Sequence, residues 1–313
     1  MSREDAVRWL KHTEFAVDSF KNKRGHVLVI AGSASYSGAA VLCGNAAMRS
    51  GVGLVTVVTP RSSKDSVASR LLPEVMVRGV AETENGAISV DAFDEIGNML
   101  EKADSVAIGC GLSQDESTKA FVEKVIGNRR QPVIVDADAL NLLSPFDARM
   151  QKPAREQGLT TQRTDHALAY AQASAIILTP HEGEFMRLLG TDDKDAIKDR
   201  VTAVRDFALK NNVILVLKGE RVLIGAPDGR VVVNPTGNSG LGKAGNGDTL
   251  AGILCGFVAQ AVQFKIDIFE TVVAAVYVAG MAGDIAEKKY GKRVMTASDV
   301  RECLTEVFVE LAG

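Results

Sequence analysis

Aromatic side chains are scarce in this chain: Phe, Tyr and Trp make up 5% of 313 residues, and there is a single Trp. Glycine, by contrast, occurs 29 times. That balance fits close-packed strand-to-helix turns and argues against a β-sandwich. Cysteine is sparse too. Cys43, Cys110, Cys255 and Cys303 lie far apart, form no C-x-x-C pair, and each sits among apolar residues. They read as reduced core thiols of a cytoplasmic protein, with a structural zinc site as the alternative. No block of basic residues stands out, and the net charge is −3 with a pI of about 5.9. Nucleic acid is therefore not an expected partner. The apolar stretches near 252–262 and 271–282 are too short or interrupted to span a bilayer, so no membrane is expected either. Met1-Ser2-Arg3-Glu4-Asp5 lacks the basic-then-apolar layout of a secretory leader.

What the chain does have is apolar material, 46% of it, enough for a sizeable core. One α/β domain over residues 1–313 is the simplest organisation, and two smaller ones are the alternative. Apolar runs at 27–31, 54–58, 106–108, 133–135, 175–178 and 213–217 predict strands buried on both faces. Helical spacing occupies 38–49, 91–102, 116–126 and 196–210 between them. Such alternation predicts a mostly parallel sheet covered by helices on both faces. Residues 222–224 and 231–233 flank Pro227-Asp228-Gly229 and predict an antiparallel edge hairpin. Three helices are expected from Asp248 onward, over 248–260, 268–288 and 297–311, the last capped by Thr296. The stretch 144–167 is polar and weakly periodic. It reads as a surface excursion, with a lid or oligomer contact as the alternative.

Polar residues collect just past the strand ends, at 33–37, 109–113, 136–141, 181–184 and 218–221. Ligands of open α/β sheets bind beyond the carboxyl ends of the strands, so these clusters predict one composite site. The most telling stretch is Gly237-Asn238-Ser239-Gly240-Leu241-Gly242-Lys243-Ala244-Gly245-Asn246-Gly247, which runs into an apolar helix with Asp248 at the junction. Unpaired N–H groups and the positive end of the helix dipole make such a place suited to phosphate. A carboxylate there repels an anion unless it has a proton to move. The pairing points to phosphoryl chemistry with Asp248 as base; a helix-capping aspartate is the bland alternative. Asp136, Asp138 and Asn141 past a strand end face substrate or cation, or simply close an Asx turn and a helix cap.

The ordered motifs resemble the ADP/ATP-dependent NAD(P)H-hydrate dehydratases of the ribokinase-like superfamily, from about Gly25 to the C-terminus. They are Gly25-His26-Val27-Leu28-Val29-Ile30-Ala31-Gly32-Ser33 with Tyr36-Ser37-Gly38-Ala39-Ala40, Gly51-Val52-Gly53, Asp136-Ala137-Asp138-Ala139-Leu140-Asn141, Thr179-Pro180-His181-Glu182-Gly183-Glu184, Val216-Leu217-Lys218-Gly219, and Asn234-Pro235-Thr236 through Gly247-Asp248. The resemblance implies a ribokinase-like three-layer α/β sandwich. It also implies repair of hydrated NADH or NADPH. The hydroxyl on the sixth ring carbon is phosphorylated from ADP (or ATP), and phosphate, a better leaving group than hydroxide, is then expelled. For the S epimer with ADP the products are NAD(P)H, AMP and phosphate.

By the same resemblance Lys218, Gly219, Glu220, Arg221 and Val222 meet the adenine nucleotide. Gly245, Asn246 and Gly247 hold the transferring phosphoryl. Ala40, Gly111, His181 and Asp248 meet the substrate, and Glu184 orients Mg²⁺ through water. A homotetramer is expected. Relatives often carry an epimerase domain ahead of this one; about two dozen residues precede Gly25, so a separate epimerase is the expected functional partner. Departures from the family pattern are Gly242, Lys243 and Asn246 where smaller residues are common, and Cys110 and Ser113 where Pro and Gly are common. Lys243 either adds charge to the phosphates or faces solvent. Two rival readings stay open. One is an ATP-dependent kinase of a small alcohol such as hydroxyethylthiazole. The other is a nucleotide-sensing or assembly protein without chemistry.

Overall fold

The computed structural model describes residues 3–147 and 174–313. Nine strands form one sheet: β1 His26–Ile30, β2 Leu54–Pro60, β3 Met76–Val80, β4 Ser105–Ile108, β5 Val133–Val135, β6 Ile176–Leu178, β7 Ile214–Leu217, β8 Leu223–Gly225 and β9 Val231–Val233. Their order is β3-β2-β1-β4-β5-β6-β7-β8-β9. The seven strands β1 to β7 pair in parallel; β8 and β9 add the antiparallel edge expected from the sequence. Helices among the described residues are α1 Arg3–His12, α2 Ser37–Arg49, α3 Lys64–Ala68, α4 Ala92–Lys102, α5 Glu116–Gly127, α6 Asp138–Leu142, α7 Glu182–Leu189, α8 Arg200–Asn211, α9 Asn246–Phe264, α10 Ile268–Tyr290, α11 Ala297–Glu302 and α12 Leu304–Ala312.

The strands are apolar at every position because both faces are covered. Successive side chains point to opposite sides. On β1, Val27 and Val29 join the layer of α1, α2, α9 and α10, while Leu28 and Ile30 join that of α4, α5, α7 and α8. The chain runs outward from β1 to β3, then restarts at β4 on the other side of β1. The crossovers at β1 and at β4 therefore lead in opposite directions, which opens a crevice between those two strand ends.

Close approach fixes the α2–α9 pair. A Cβ on Gly252 would stand 2.2 Å from the Cys43 carbonyl oxygen, so no larger residue fits without moving a helix. All four cysteines are buried and free, as expected. Helices α9 and α10 correct the bilayer argument. They run 19 and 23 residues with mean hydropathy 1.2 and 1.6, long and apolar enough to cross a membrane. Burial, not length, explains them: most of each lies inside the fold. Strand β3 and helix α1 were not expected. The first four residues of β3 alternate exposed and half-buried on the sheet edge, and Val80 is buried. Helix α1 buries Ala6 and Trp9, with Val7 and Leu10 partly covered, and Trp9 stacks on Phe257 at 4.2 Å and donates to Thr271 Oγ1. The helix expected over 297–311 is broken at Cys303 into α11 and α12. Thr296 caps α11 with Asp299 in a reciprocal capping box. The excursion at 144–167 lies outside the described residues from position 148 on.

Candidate functional site

The glycine run ends at Gly245, which caps α9 at φ +92° and has no side chain with which to satisfy the first turn. A Cβ there would press to 2.6 Å from Leu42 Cδ1. Only glycine suits this backbone and this space. Asn246, Gly247 and Asp248 follow as the first three residues of α9. In the same turn Asn246 Oδ1 and Thr249 Oγ1 are buried without a hydrogen-bond partner among the described residues. The turn is thus rich in polar groups awaiting a ligand.

The loop before it is fastened twice. Gly237 N and Asn238 Nδ2 donate to the Asp284 carboxylate on α10 at 3.0 Å each, and Asn238 Oδ1 accepts from Gly240 N. Lys243 Nζ donates to the carbonyls of Arg293 (2.5 Å) and Met295 (2.9 Å), between α10 and α11. Lys243 is exposed, and its ammonium ties the loop to the segment between α10 and α11, a contact that neither reading of it anticipated.

Behind the helix mouth lies a charged cluster drawn from four strand ends. Asp136, beyond β5, is buried, and its Oδ1 accepts from Thr179 Oγ1 at 2.7 Å and Lys218 Nζ at 2.8 Å. Lys218, beyond β7, also lies 3.8 Å from Glu184 Oε2. A Cβ on Gly247 would stand 3.4 Å from Lys218 Nζ, so the lysine abuts the anion loop. Burial would lower the Lys218 ammonium, but the Asp136 and Glu184 carboxylates outweigh it and hold it above its ordinary value. Cys110 Sγ, beyond β4, lies 3.8 Å from Asp136 Oδ2. Cys110, Asp136 and Asp248 present ligand atoms within 4.8 Å of one another. Burial first, then the Asp136 charge, pushes the Asp248 carboxyl up to about 6. The Cys110 thiol and Lys218 oppose the rise, and Asp138 adds to it. Asp248 is the third residue of its helix, not the cap.

At the β1/β4 crevice, a Cβ on Gly111 would stand 2.9 Å from the Tyr36 carbonyl, so the β4 turn packs on the start of α2. Ala40 is fully buried, its methyl 3.1 Å from where a Cβ on Gly32 would lie. Its side chain fills the turn, which leaves only its backbone to face a ligand. His181 caps α7. Its Nδ1 accepts from Gly183 N and Glu184 N, while Glu184 Oε2 accepts from His181 N. With Nδ1 accepting, the neutral ring carries its proton on Nε2. That side chain is 56% exposed, and its Nε2 lies 3.5 Å from Glu184 Oε1. Glu220 and Arg221 are exposed beyond Gly219, and Val222 is half-buried, its carbonyl accepting from Asn234 N. Asp138 accepts from Ser113 N and Gln114 Nε2, and Asn141 from Arg187 Nε. Those bonds tie the segment after β5 to the β4 turn and to α7.

Sequence reasoning missed Thr179 and Cys110 as parts of the cluster, and Arg200 outside it. Arg200 opens α8, meets Glu182 at 3.3 Å and lies over Gly219. Its sequence carries no signal for that. Cys110 was visible as a departure, and Thr179 as a neighbour of the histidine motif. Against Asp136, Asp138, Glu184 and Asp248, Lys218 is the cation the described cluster supplies. A thiol and a lysine-paired carboxylate make a poor cage for a hard cation. The negative surplus nonetheless suits one carried in on phosphates.

A family model described as NAD(P)H-hydrate dehydratase matches residues 27–306. The chain is 36% identical over 291 residues to a bifunctional NAD(P)H-hydrate repair enzyme of Moorella thermoacetica, covering 93% of this chain and 50% of that protein. It is 33% identical over 277 residues to an ADP-dependent (S)-NAD(P)H-hydrate dehydratase of Neisseria meningitidis, covering 88% and 82%. The chain spans about half the length of the bifunctional relatives it matches. Among solved structures it resembles an ADP/ATP-dependent NAD(P)H-hydrate dehydratase from Bacillus subtilis co-crystallised with ATP/Mg²⁺, at TM-score 0.77 and 28% identity, covering 99% and 97%.

Proposed function

The chain belongs to the NAD(P)H-hydrate dehydratase family, and on that premise we propose that it returns the S epimer of hydrated NADH or NADPH to NAD(P)H at the expense of ADP. The observation that carries this is the Asp248 carboxyl, raised to about 6, beside an uncapped helix mouth. A base poised near neutral pH takes the proton of the ring hydroxyl as its oxygen attacks the terminal phosphorus of ADP. AMP leaves. The ring C–O bond of the ester then breaks, phosphate leaves with the bonding pair, the neighbouring ring carbon gives up a proton, and the dihydropyridine is restored.

The other roles follow from position. N–H groups of Gly245, Asn246 and Gly247 hold the transferring phosphoryl, with Lys218 behind them. Gly219, Glu220, Arg221 and Val222 border the adenine nucleotide. The substrate dinucleotide lies along the β1/β4 crevice, at the backbone of Ala40 and at Gly111, and His181 Nε2–H meets it. Mg²⁺ would supply neutralising charge on the phosphates, and Glu184 would hold it through water. We further propose that the chain works as one domain, in the cytoplasm, as a homotetramer, beside a separate epimerase.

Protein mixed with hydrated NADH, Mg²⁺ and ADP should restore the dihydronicotinamide absorbance. Phosphorylation of a small alcohol from ATP, with no restoration, would instead establish the kinase reading.

A further inference from the structure

The lysine that abuts the anion loop sits on a flexible four-carbon stem, so something else must fix where its ammonium stands. Two buried groups do so. Asp136 and Thr179 lie past the neighbouring strands β5 and β6, each 1% exposed. Lys218 Nζ donates to Asp136 Oδ1 at 2.8 Å, and Thr179 Oγ1 donates to the same oxygen at 2.7 Å. Among the described residues Asp136 is the one acceptor within hydrogen-bond distance of the ammonium; Glu184 stands off at 3.8 Å. The remaining N–H groups are open to an anion at Gly247, where an added Cβ would stand 3.4 Å from Nζ.

The terminal torsion of an aspartate is soft, so Asp136 bonded to the lysine alone could turn either oxygen toward it. Thr179 removes that freedom. Its β-branched side chain is stiff. The Val135 carbonyl already accepts from Thr179 N at 3.1 Å and lies 3.2 Å from the hydroxyl, so the one hydroxyl proton goes to the nearer, charged oxygen of Asp136. Pro180 O accepts from Lys218 N at 2.8 Å. The end of β6 therefore fixes the lysine twice, at its backbone and, through Asp136, at its ammonium.

Resting on the reading that Lys218 stands behind the transferring phosphoryl, we propose that Thr179 is a positioning residue: its hydroxyl fixes the Asp136 carboxylate, which holds the Lys218 ammonium against the anion loop.

The test reads the lysine directly as well as turnover. Thr179→Val keeps the shape of the side chain and loses the hydroxyl; Thr179→Ser keeps the hydroxyl. In intact protein labelled with ¹⁵N at lysine side chains, the Lys218 ammonium is the NMR signal lost in Lys218→Arg. Thr179→Val should shift that signal and broaden it through faster exchange with water, and Thr179→Ser should leave it in place. With ADP and hydrated NADH, the valine variant should lose about tenfold in kcat with KM for the hydrate unchanged, and the serine variant should regain most of the loss. A Lys218 signal already broadened away in wild type, or unmoved in the valine variant, overturns the proposal. So does a serine variant as impaired as valine, which would assign the effect to packing at the strand end, and so does a displaced ammonium with undiminished kcat. A wild type inert toward hydrated NADH would fail the reaction alone, and the ammonium signal would still decide whether Thr179 sets the lysine.

Discussion

Asp248 bears opposite consequences for activity and stability. Its folded carboxyl titrates at about 6, against roughly 3.9 for an unfolded aspartate. The folded protein holds that proton more tightly, so stability falls as pH rises from about 4 to about 6 and then levels. The loss amounts to about 2–3 kcal/mol. Asp248→Asn should therefore melt at the same temperature as wild type near pH 4 and a few degrees higher at pH 7.5, while losing at least about 100-fold in turnover. Equal melting temperatures at both pH values would contradict the buried charge. Lys218 behaves in the reverse sense. Its removal strands Asp136, so Lys218→Ala should destabilise by about 3–5 kcal/mol by denaturant titration. Replacing Lys218 and Asp136 together with apolar residues should cost less than that. Asp248 was legible in the sequence because an acid at the end of a glycine run has few uses. The neighbours Cys110 and Thr179 were not, since only the strand order brings positions 110, 136, 179 and 248 together.

Helices and strands were legible where burial is two-sided. Strands β1, β4, β5 and β7 are runs of aliphatic residues and fall within a residue or two of the expected bounds. Edge strand β3 and helix α1 carry weak patterns because each buries only one side or a few residues. The break at Cys303 has no glycine or proline to announce it. Between α2 and α9 the interface is set by backbone, not by side-chain volume. Gly252→Ala should cost about 1–3 kcal/mol in thermal unfolding and also weaken ADP binding, because the added methyl pushes apart the two helices whose starts border the site. A variant as stable as wild type would mean that the helices part without strain.

Over the whole molecule, the order of strands puts the β1/β4 crevice and the glycine run on one rim, where the sequence gathers its polar clusters. What the sequence hid was how the loop is secured from outside the sheet. Lys243→Ala removes two bonds to backbone carbonyls. It should weaken ADP binding several-fold while leaving the salt dependence of that binding unchanged; a flatter salt dependence would restore the direct electrostatic role. The anchorage through Asp284 and the Arg293–Met295 carbonyls has a wider meaning. The grip on the cosubstrate is cast against a mould formed by the last helices, remote from the strand ends. Whatever strains that mould, whether a neighbouring subunit, a crosslink or a heat-frayed turn, slackens the hold on phosphate without disturbing a single reacting group.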